Sequence, residues 1–397
     1  MKKESMKTKI LPANRLHQVS EYYFSRKLKE VERMKAKGMN VISLGIGSPD
    51  LPPNQHVIDT LCEEAQNTQN HGYQPYIGIP ELRSEFARWY QHWYGVSLDA
   101  QREIQPLIGS KEGILHITLA FVNPGEQVLV PNPGYPTYTS LSGILGAEVI
   151  PYDLDESKGW FPDFEKLNQM DLSKVKIMWT NYPNMPTGAN ATQELFTKLV
   201  DFAQQNDLII VNDNPYSFIL NEKPLSILSI PGAKSCCIEL NSMSKSHNMS
   251  GWRIGVAAAN EEFISWILKV KSNIDSGMFR PMQLAAAEAL KVDTAWYVHN
   301  NQNYKRRRTL AAKILAELNC TFDKQQVGLF LWGKIPNNYT KVEELTEYLL
   351  HKAHVFITPG FIFGSNGNRY IRLSLCCTEA QLEEALLRIR HLKSRKN

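Results

Sequence analysis

The stretch Ser242-Met243-Ser244-Lys245-Ser246-His247-Asn248-Met249-Ser250-Gly251-Trp252-Arg253-Ile254-Gly255 decides how the rest of the chain is read. It follows Ser235 to Leu240, an apolar run that reads as a strand. Hydroxyls, one lysine, one arginine and two glycines crowd together in it. A lysine that is to attack a carbonyl must be neutral near neutral pH, and burial beside other positive charge achieves this. Ser242, Ser244 and Arg253 are the donor set that a phosphate group needs. Without its context, a solvated surface loop competes with this reading.

Outward from that segment, apolar strands alternate with amphipathic helices. Gln127 to Val130, Val175 to Trp179 and Leu208 to Val211 read as strands. Glu81 to Tyr94 behind Pro80, Ser110 past Leu119, Tyr135 to Leu145 and Thr192 to Asn206 read as helices. Such alternation predicts an α/β fold with a mostly parallel sheet flanked by helices. Ligands of such sheets bind beyond the carboxyl ends of the strands, so the polar residues there are the ones to weigh. Val41 to Gly45 reads as a short strand entering a Gly/Pro turn. The last third reads as a smaller α+β unit, with helices over Gln283 to Ala295, Val298 to Leu318 and Leu382 to Leu392 and strands over Gly328 to Trp332 and Tyr370 to Leu375. The division is expected near Asp275, inside a long connecting helix, giving 1–49 as an arm with part of the small domain, 50–275 as the large domain and 276–397 as the small one.

Composition narrows the function classes. The 397 residues carry a net charge of +4, too small to demand nucleic acid or an anionic membrane as partner. No apolar run approaches the roughly 20 residues that span a bilayer, and Met1 to Ile10 lacks the apolar core of a secretory signal. The cysteines form neither a disulfide framework nor a zinc motif, which predicts reduced thiols in a cytoplasmic protein and no metal. Lys305-Arg306-Arg307-Arg308 reads as a solvated helix face.

The opening segment resembles the pyridoxal-phosphate signature of class I and II aminotransferases, S-x-S-K-x-x-x-x-x-G-x-R-x-G, and matches it at every specified position. The resemblance extends from about Val41 to Arg390 in the family's order. It implies a large pyridoxal 5'-phosphate-binding domain plus a smaller α+β domain, the fold type I architecture. Lys245 would carry the cofactor as a Schiff base and move the α-proton. Asp213 would face the pyridine nitrogen, and a buried carboxylate there keeps the ring protonated and electron-accepting. Tyr216, three residues on, would donate to the phenolic oxygen.

The same resemblance assigns Ser110 and Lys111, at the start of a helix whose free N–H groups favour a phosphate, to the cofactor phosphate together with Ser242, Ser244 and Arg253. Tyr135 would stack on the ring, and Tyr73 would reach the phosphate of a neighbouring subunit, implying a homodimer with shared sites. Arg372 would grip the substrate α-carboxylate through two parallel hydrogen bonds, helped by the backbone of Gly47.

One departure stands out. Asn181-Tyr182-Pro183-Asn184-Met185-Pro186-Thr187-Gly188 resembles N-x-P-x-N-P-T-G, but Met185 replaces the asparagine that touches both the phenolic oxygen and the substrate carboxylate. Asn184, Asn181 or a water takes over, or the contact is missing. Asn181 and Asn184 are therefore carried as cofactor residues and Asn184 as a substrate residue. Ser48 also stands where many relatives have glutamate. The stretch Ser276 to Gln283 lies where the family has a substrate-facing loop, which makes Arg280 a candidate partner for an acidic side chain.

The expected reaction moves an amino group from an L-amino acid to a 2-oxo acid such as 2-oxoglutarate, with a donor like aspartate, alanine or diaminopimelate. A carbon–sulfur β-lyase or a decarboxylase on the same fold is the near alternative. A DNA-binding regulator built on it is disfavoured, because fewer than 50 residues precede Gly47.

Overall fold

The computed structural model describes residues 10–18 and 23–394. Of the arm expected ahead of the first long helix, residues 1–9 and 19–22 lie outside the described residues. The strands are β1 (Ile42–Ser43), β2 (Ile104–Leu107), β3 (Gln127–Asn132), β4 (Glu148–Asp153), β5 (Val175–Thr180), β6 (Ile209–Asp213), β7 (Cys237–Ser242), β8 (Gly255–Ala258), β9 (Phe330–Lys334), β10 (Val355–Phe356), β11 (Thr358–Pro359) and β12 (Tyr370–Ser374).

The central sheet has seven strands in the order β2-β8-β7-β6-β5-β3-β4. Neighbours from β4 to β7 pair in parallel, and β8 runs against both β7 and β2. Its middle is buried on both faces: β8 is wholly apolar, and even Glu239 and Asn241 of β7 are buried. Alternation sorts the side chains into two layers. Val128, Val130, Ile177, Trp179, Val211 and Ile238 face one way, with Ile114 and Ile117 of helix Ser110–Phe121 and Ile264 and Ile267 of helix Glu261–Lys271. Leu129, Met178 and Ile210 face the other, with helices Pro80–Tyr94 and Gln193–Gln205. Local chemistry sets the helix ends. Pro80 sits in the first turn of its helix and Gly95 leaves it at φ +67°, while the Thr192 side chain caps Leu195 N.

A second, antiparallel sheet, β11-β12-β9, carries Arg372 on its middle strand, and β1 pairs in parallel with β10. After β1 the chain passes along β12, where Ser374 N donates to Leu44 O at 2.8 Å. Arg307 fastens the same passage. Its guanidinium reaches both carboxylate oxygens of Asp50 at 2.6 and 2.8 Å and the carbonyl of Leu375 at 3.1 Å. Arg307 is therefore buried, and the basic run is not a wholly solvated face.

Asp275 does not lie inside a helix. Helix Glu261–Lys271 ends four residues before it, and residues 272–279 connect that helix to helix Arg280–Leu290. Asp275 takes the Lys271 ammonium at 2.5 Å and Gly277 N at 2.9 Å, and Gly277 passes at φ +86° so close to Gln74 that a Cβ would fall 2.6 Å from its carbonyl. Helix Arg280–Leu290 packs on helices Gln55–Gln66 and Pro80–Tyr94. It ends five residues before Ala295, because Asp293 caps Trp296 N and starts the long helix Thr294–Glu317.

Candidate active site

A cavity of about 330 Å³ opens where the carboxyl ends of β3, β5, β6 and β7 meet the second sheet. The strand ends supply Asn181, Asp213, Ser242 and, just beyond, Tyr135 and Lys245, while β12 and β9 supply Arg372 and Phe330. Phe24, from helix Tyr23–Ala36, and Ile362 and Phe363 complete the wall.

Lys245 sits in the short helix Met243–Ser246, and its Nζ donates to Gly47 O at 2.5 Å. Burial holds the ammonium below the ordinary lysine range, and the guanidiniums of Arg372 and Arg253 push the same way against the Cys376 thiol and Asp213. Both physical conditions for a nucleophilic lysine are met.

At the end of β6, burial pushes the Asp213 carboxyl up to about 7, although a hydrogen bond from Tyr138 and the charge of Lys245 favour ionisation. Tyr138 OH donates to Oδ2 at 2.9 Å. Oδ1 is buried and accepts no hydrogen bond from the described residues. The Asp213 carbonyl takes Asn181 Nδ2 at 2.5 Å, so the side chain of Asn181 braces this strand end.

A second cluster of donors gathers at the start of helix Ser110–Phe121. Gly109 enters it at φ +79°, and a Cβ there would fall 2.2 Å from Arg253 Nη2. Ser242 Oγ donates to Ser244 Oγ at 2.9 Å, and Arg253 Nη1 reaches Ser244 Oγ at 3.5 Å and Ser250 O at 2.8 Å. Two hydroxyls, a guanidinium and a helix N-terminus thus share one end of the cavity.

Across the cavity, Arg372 Nη2 donates to Gly45 O at 2.9 Å and Nη1 to Met185 Sδ at 3.2 Å. Its guanidinium carbon stands 3.8 Å from the centroid of the Phe330 ring and 4.6 Å from that of Phe363. Those aromatic faces fix the plane of a group suited to hold a carboxylate. A Cβ on Gly47 would strike the Phe330 ring at 2.3 Å, so only glycine lets this backbone approach.

Residues 39–389 match the family described as aminotransferase class I and II. The chain belongs to that family. An LL-diaminopimelate aminotransferase of Dehalococcoides mccartyi is 40% identical over 384 residues, covering 96% of this chain and 99% of the relative. Among solved structures, apo-BacF of Bacillus subtilis superposes with a TM-score of 0.92 at 36% identity, covering 97% and 98% of the two chains. An aromatic aminotransferase of Pyrococcus horikoshii gives 0.86 at 30%, covering 96% and 99%.

The protein is thus a fold type I aminotransferase, and the cofactor of its family is pyridoxal 5'-phosphate. The cavity fits that group on its own chemistry. A protonated ring nitrogen would supply the donor that Asp213 Oδ1 lacks, the cluster around Arg253 suits a phosphate dianion, and Lys245 is the depressed amine between them.

Of the site residues expected for this aminotransferase, Gly47, Ser110, Lys111, Tyr135, Asn181, Asp213, Tyr216, Ser242, Ser244, Lys245, Arg253 and Arg372 all line the one cavity. Asn184, expected at the cofactor and the substrate, does not line it, although its Nδ2 is buried without a hydrogen-bond partner among the described residues. Its carbonyl and amide close a tight turn with Gly188 and Ala189, and its Oδ1 accepts from Thr187 Oγ1 at 2.7 Å. Tyr73 is 93% exposed and away from the cavity of its own chain. Arg280 is engaged by Glu81 at 2.7 Å, also away from the cavity. His247 lies behind the site, bonded to Ser246 Oγ at 2.8 Å and Tyr297 OH at 3.1 Å, and burial pushes it down to about 3.

Glu112, His116 and Asp275 come within ligand distance of one another, but the Lys271 ammonium already stands 3.1 Å from Glu112 and 2.5 Å from Asp275. Sequence reasoning missed Tyr138, Phe24 and Phe330. Tyr138 had a signal in its spacing, three residues beyond Tyr135 on one helix face. Phe24 and Phe330 had none, since they arrive from distant segments.

Proposed function

We propose that this aminotransferase transfers the amino group of an L-amino acid to a 2-oxo acid such as 2-oxoglutarate, with the donor like aspartate, alanine or diaminopimelate. One observation carries the reading: a depressed lysine, a buried carboxylate with a free acceptor and an aromatic-flanked arginine face one another across a single cavity. The name of the Dehalococcoides relative supports the diaminopimelate side of that range. Pyridoxal phosphate, when bound, supplies an aldehyde that takes up the amino group and a ring that receives the electron pair of the broken Cα–H bond.

Arg372 holds the α-carboxylate and so sets which bond at Cα stands over the ring. Lys245, whose ammonium burial and its cationic neighbours hold below the ordinary lysine range, is placed to take the α-proton and to return it to the former aldehyde carbon on the far side of the nitrogen. Asp213 would favour a positive ring nitrogen, Tyr216 would donate to the phenolic oxygen, and Tyr135 would offer an aromatic face to the ring. Ser242, Ser244, Arg253 and the backbone of Ser110 and Lys111 would hold the phosphate. Tyr73 serves the site of a second copy, which makes the protein a homodimer. Its exposure, beside exposed Tyr76, Ile274 and Phe279, supports that reading. The free cysteines support a cytoplasmic setting.

The test is to add single amino acids to the cofactor-loaded protein while recording its visible absorbance, with no oxo acid present. One donor should convert the band to that of the pyridoxamine form, and 2-oxoglutarate should restore it. Release of pyruvate and ammonia from cysteine-like substrates would instead make the protein a lyase.

A further inference from the structure

We propose that Met185 leaves Tyr216 as the one side-chain donor to the cofactor's phenolic oxygen and that its thioether positions Arg372 for the substrate. The proposal rests on the cofactor placement above and concerns what this chain does differently at that site. A thioether accepts a weak hydrogen bond and donates none. Met185 is buried in the cavity wall, and its Sδ takes Arg372 Nη1 at 3.2 Å. Arg372, Met185, Phe330 and Tyr216 form one contiguous face, with the Tyr216 and Phe330 rings 6.0 Å apart at 72°.

Of the two asparagines that could compensate, Asn181 is committed elsewhere and Asn184 does not line the cavity. Asn181 donates to the Asp213 carbonyl at 2.5 Å and accepts from Met185 N at 2.8 Å. Asn184 turns its Oδ1 to Thr187 and lies off the cavity wall, so its Nδ2, buried without a hydrogen-bond partner among the described residues, is not presented to the cavity. Tyr138 is committed to Asp213, and the serines with Arg253 gather at the phosphate end. Tyr216 therefore carries the contact alone.

A donor to the phenolic oxygen stabilises its anionic form once the neighbouring nitrogen has lost its proton, so a missing donor moves that titration to higher pH. The substitution has a second effect. Arg372 meets a soft sulfur and two aromatic faces where an amide would offer a stronger, directional acceptor.

The experiment is a titration of the visible band of the cofactor-loaded protein against pH, for the wild type, Met185→Asn, Met185→Leu and Tyr216→Phe. Met185→Asn should lower the midpoint by roughly one pH unit, the scale of one hydrogen bond to a charged oxygen. Met185→Leu, which donates no more than methionine, should keep the wild-type midpoint and raise KM for the amino donor severalfold with little change in kcat. Tyr216→Phe should raise the midpoint. An unchanged or higher midpoint in Met185→Asn, or an unmoved one in Tyr216→Phe, overturns the donor assignment. An unchanged KM in Met185→Leu overturns the positioning role. A wild-type band that titrates but that no amino acid converts would overturn the aminotransfer reading instead, which keeps the two failures apart.

Discussion

Lys245 and Asp213 share one cavity, and burial pushes each toward its uncharged form. For the lysine this is the working state, because only a free amine takes a proton or attacks a carbonyl. For the aspartate it is a cost that a cationic partner removes, and Tyr138 offsets part of it by donating to Oδ2. Tyr138→Phe should therefore raise the Asp213 pKa above its present value of about 7, by roughly one unit for one charge-assisted hydrogen bond. In the loaded enzyme the lost hydrogen bond weakens the carboxylate that would hold the ring nitrogen, so the cofactor should be lost more readily on dialysis. Cofactor retained as firmly as in the wild type would show that Tyr138 only packs against Trp179, on which its ring stacks at 5.1 Å. The residues that hold or attack a ligand were legible because their chemistry is written in a motif. For Tyr138 the spacing from Tyr135 marked only its nearness to the site; its role was not legible, because that exists only through a carboxylate 75 positions away.

At the scale of the element, β7 does two things at once. Its carboxyl end presents Ser242 to the cavity, while its middle places Glu239 entirely inside the protein. Glu239 Oε2 accepts from Ser226 Oγ at 2.9 Å and Ile227 N at 3.0 Å, yet burial pushes the carboxyl up to about 7. A folded pKa above the unfolded one means that the folded chain holds the extra proton between the two values. Stability from this group is then full below about 4.3 and is lost as pH rises toward 7, with a total of about 3 kcal/mol. Urea unfolding of the cofactor-free protein should show Glu239→Gln losing less stability than the wild type between pH 5 and pH 8. Equal losses would mean that the carboxyl ionises at no cost in place.

The strands with long apolar runs, β3, β5, β6 and β7, were readable because two-sided burial demands such runs. β2, β4 and β8 were not. β2 is short and contains Pro106, β4 is a partly exposed edge mixing Glu148 with Pro151, and β8 is built mainly of small residues. Edges and tight packing replace the apolar signal there.

The whole molecule poses the question of how many chains make one site. In a single chain the cavity already gathers the amine, the carboxylate and both anion-binding ends, so Tyr73 is the only expected cofactor residue standing outside it on the surface. Isologous pairing would place each Tyr73 at the other copy's cavity, with the exposed ring of Phe279 and Ile274 covered in the same contact. Such an arrangement has a genetic signature that a monomeric site cannot mimic. Lys245→Ala would abolish proton transfer in its own cavity, and Tyr73→Ala would weaken phosphate binding in its partner's. A mixed dimer of the two variants contains one cavity with both defects and one with neither. Co-expressed in equal amounts, with half of the dimers mixed, the pair should regain about a quarter of wild-type activity, although each variant alone has far less. Activity equal to the mean of the separate variants would show that Tyr73 does not serve its partner's cavity. A sedimentation profile of the mixed preparation decides between that result and a failure of the two chains to pair.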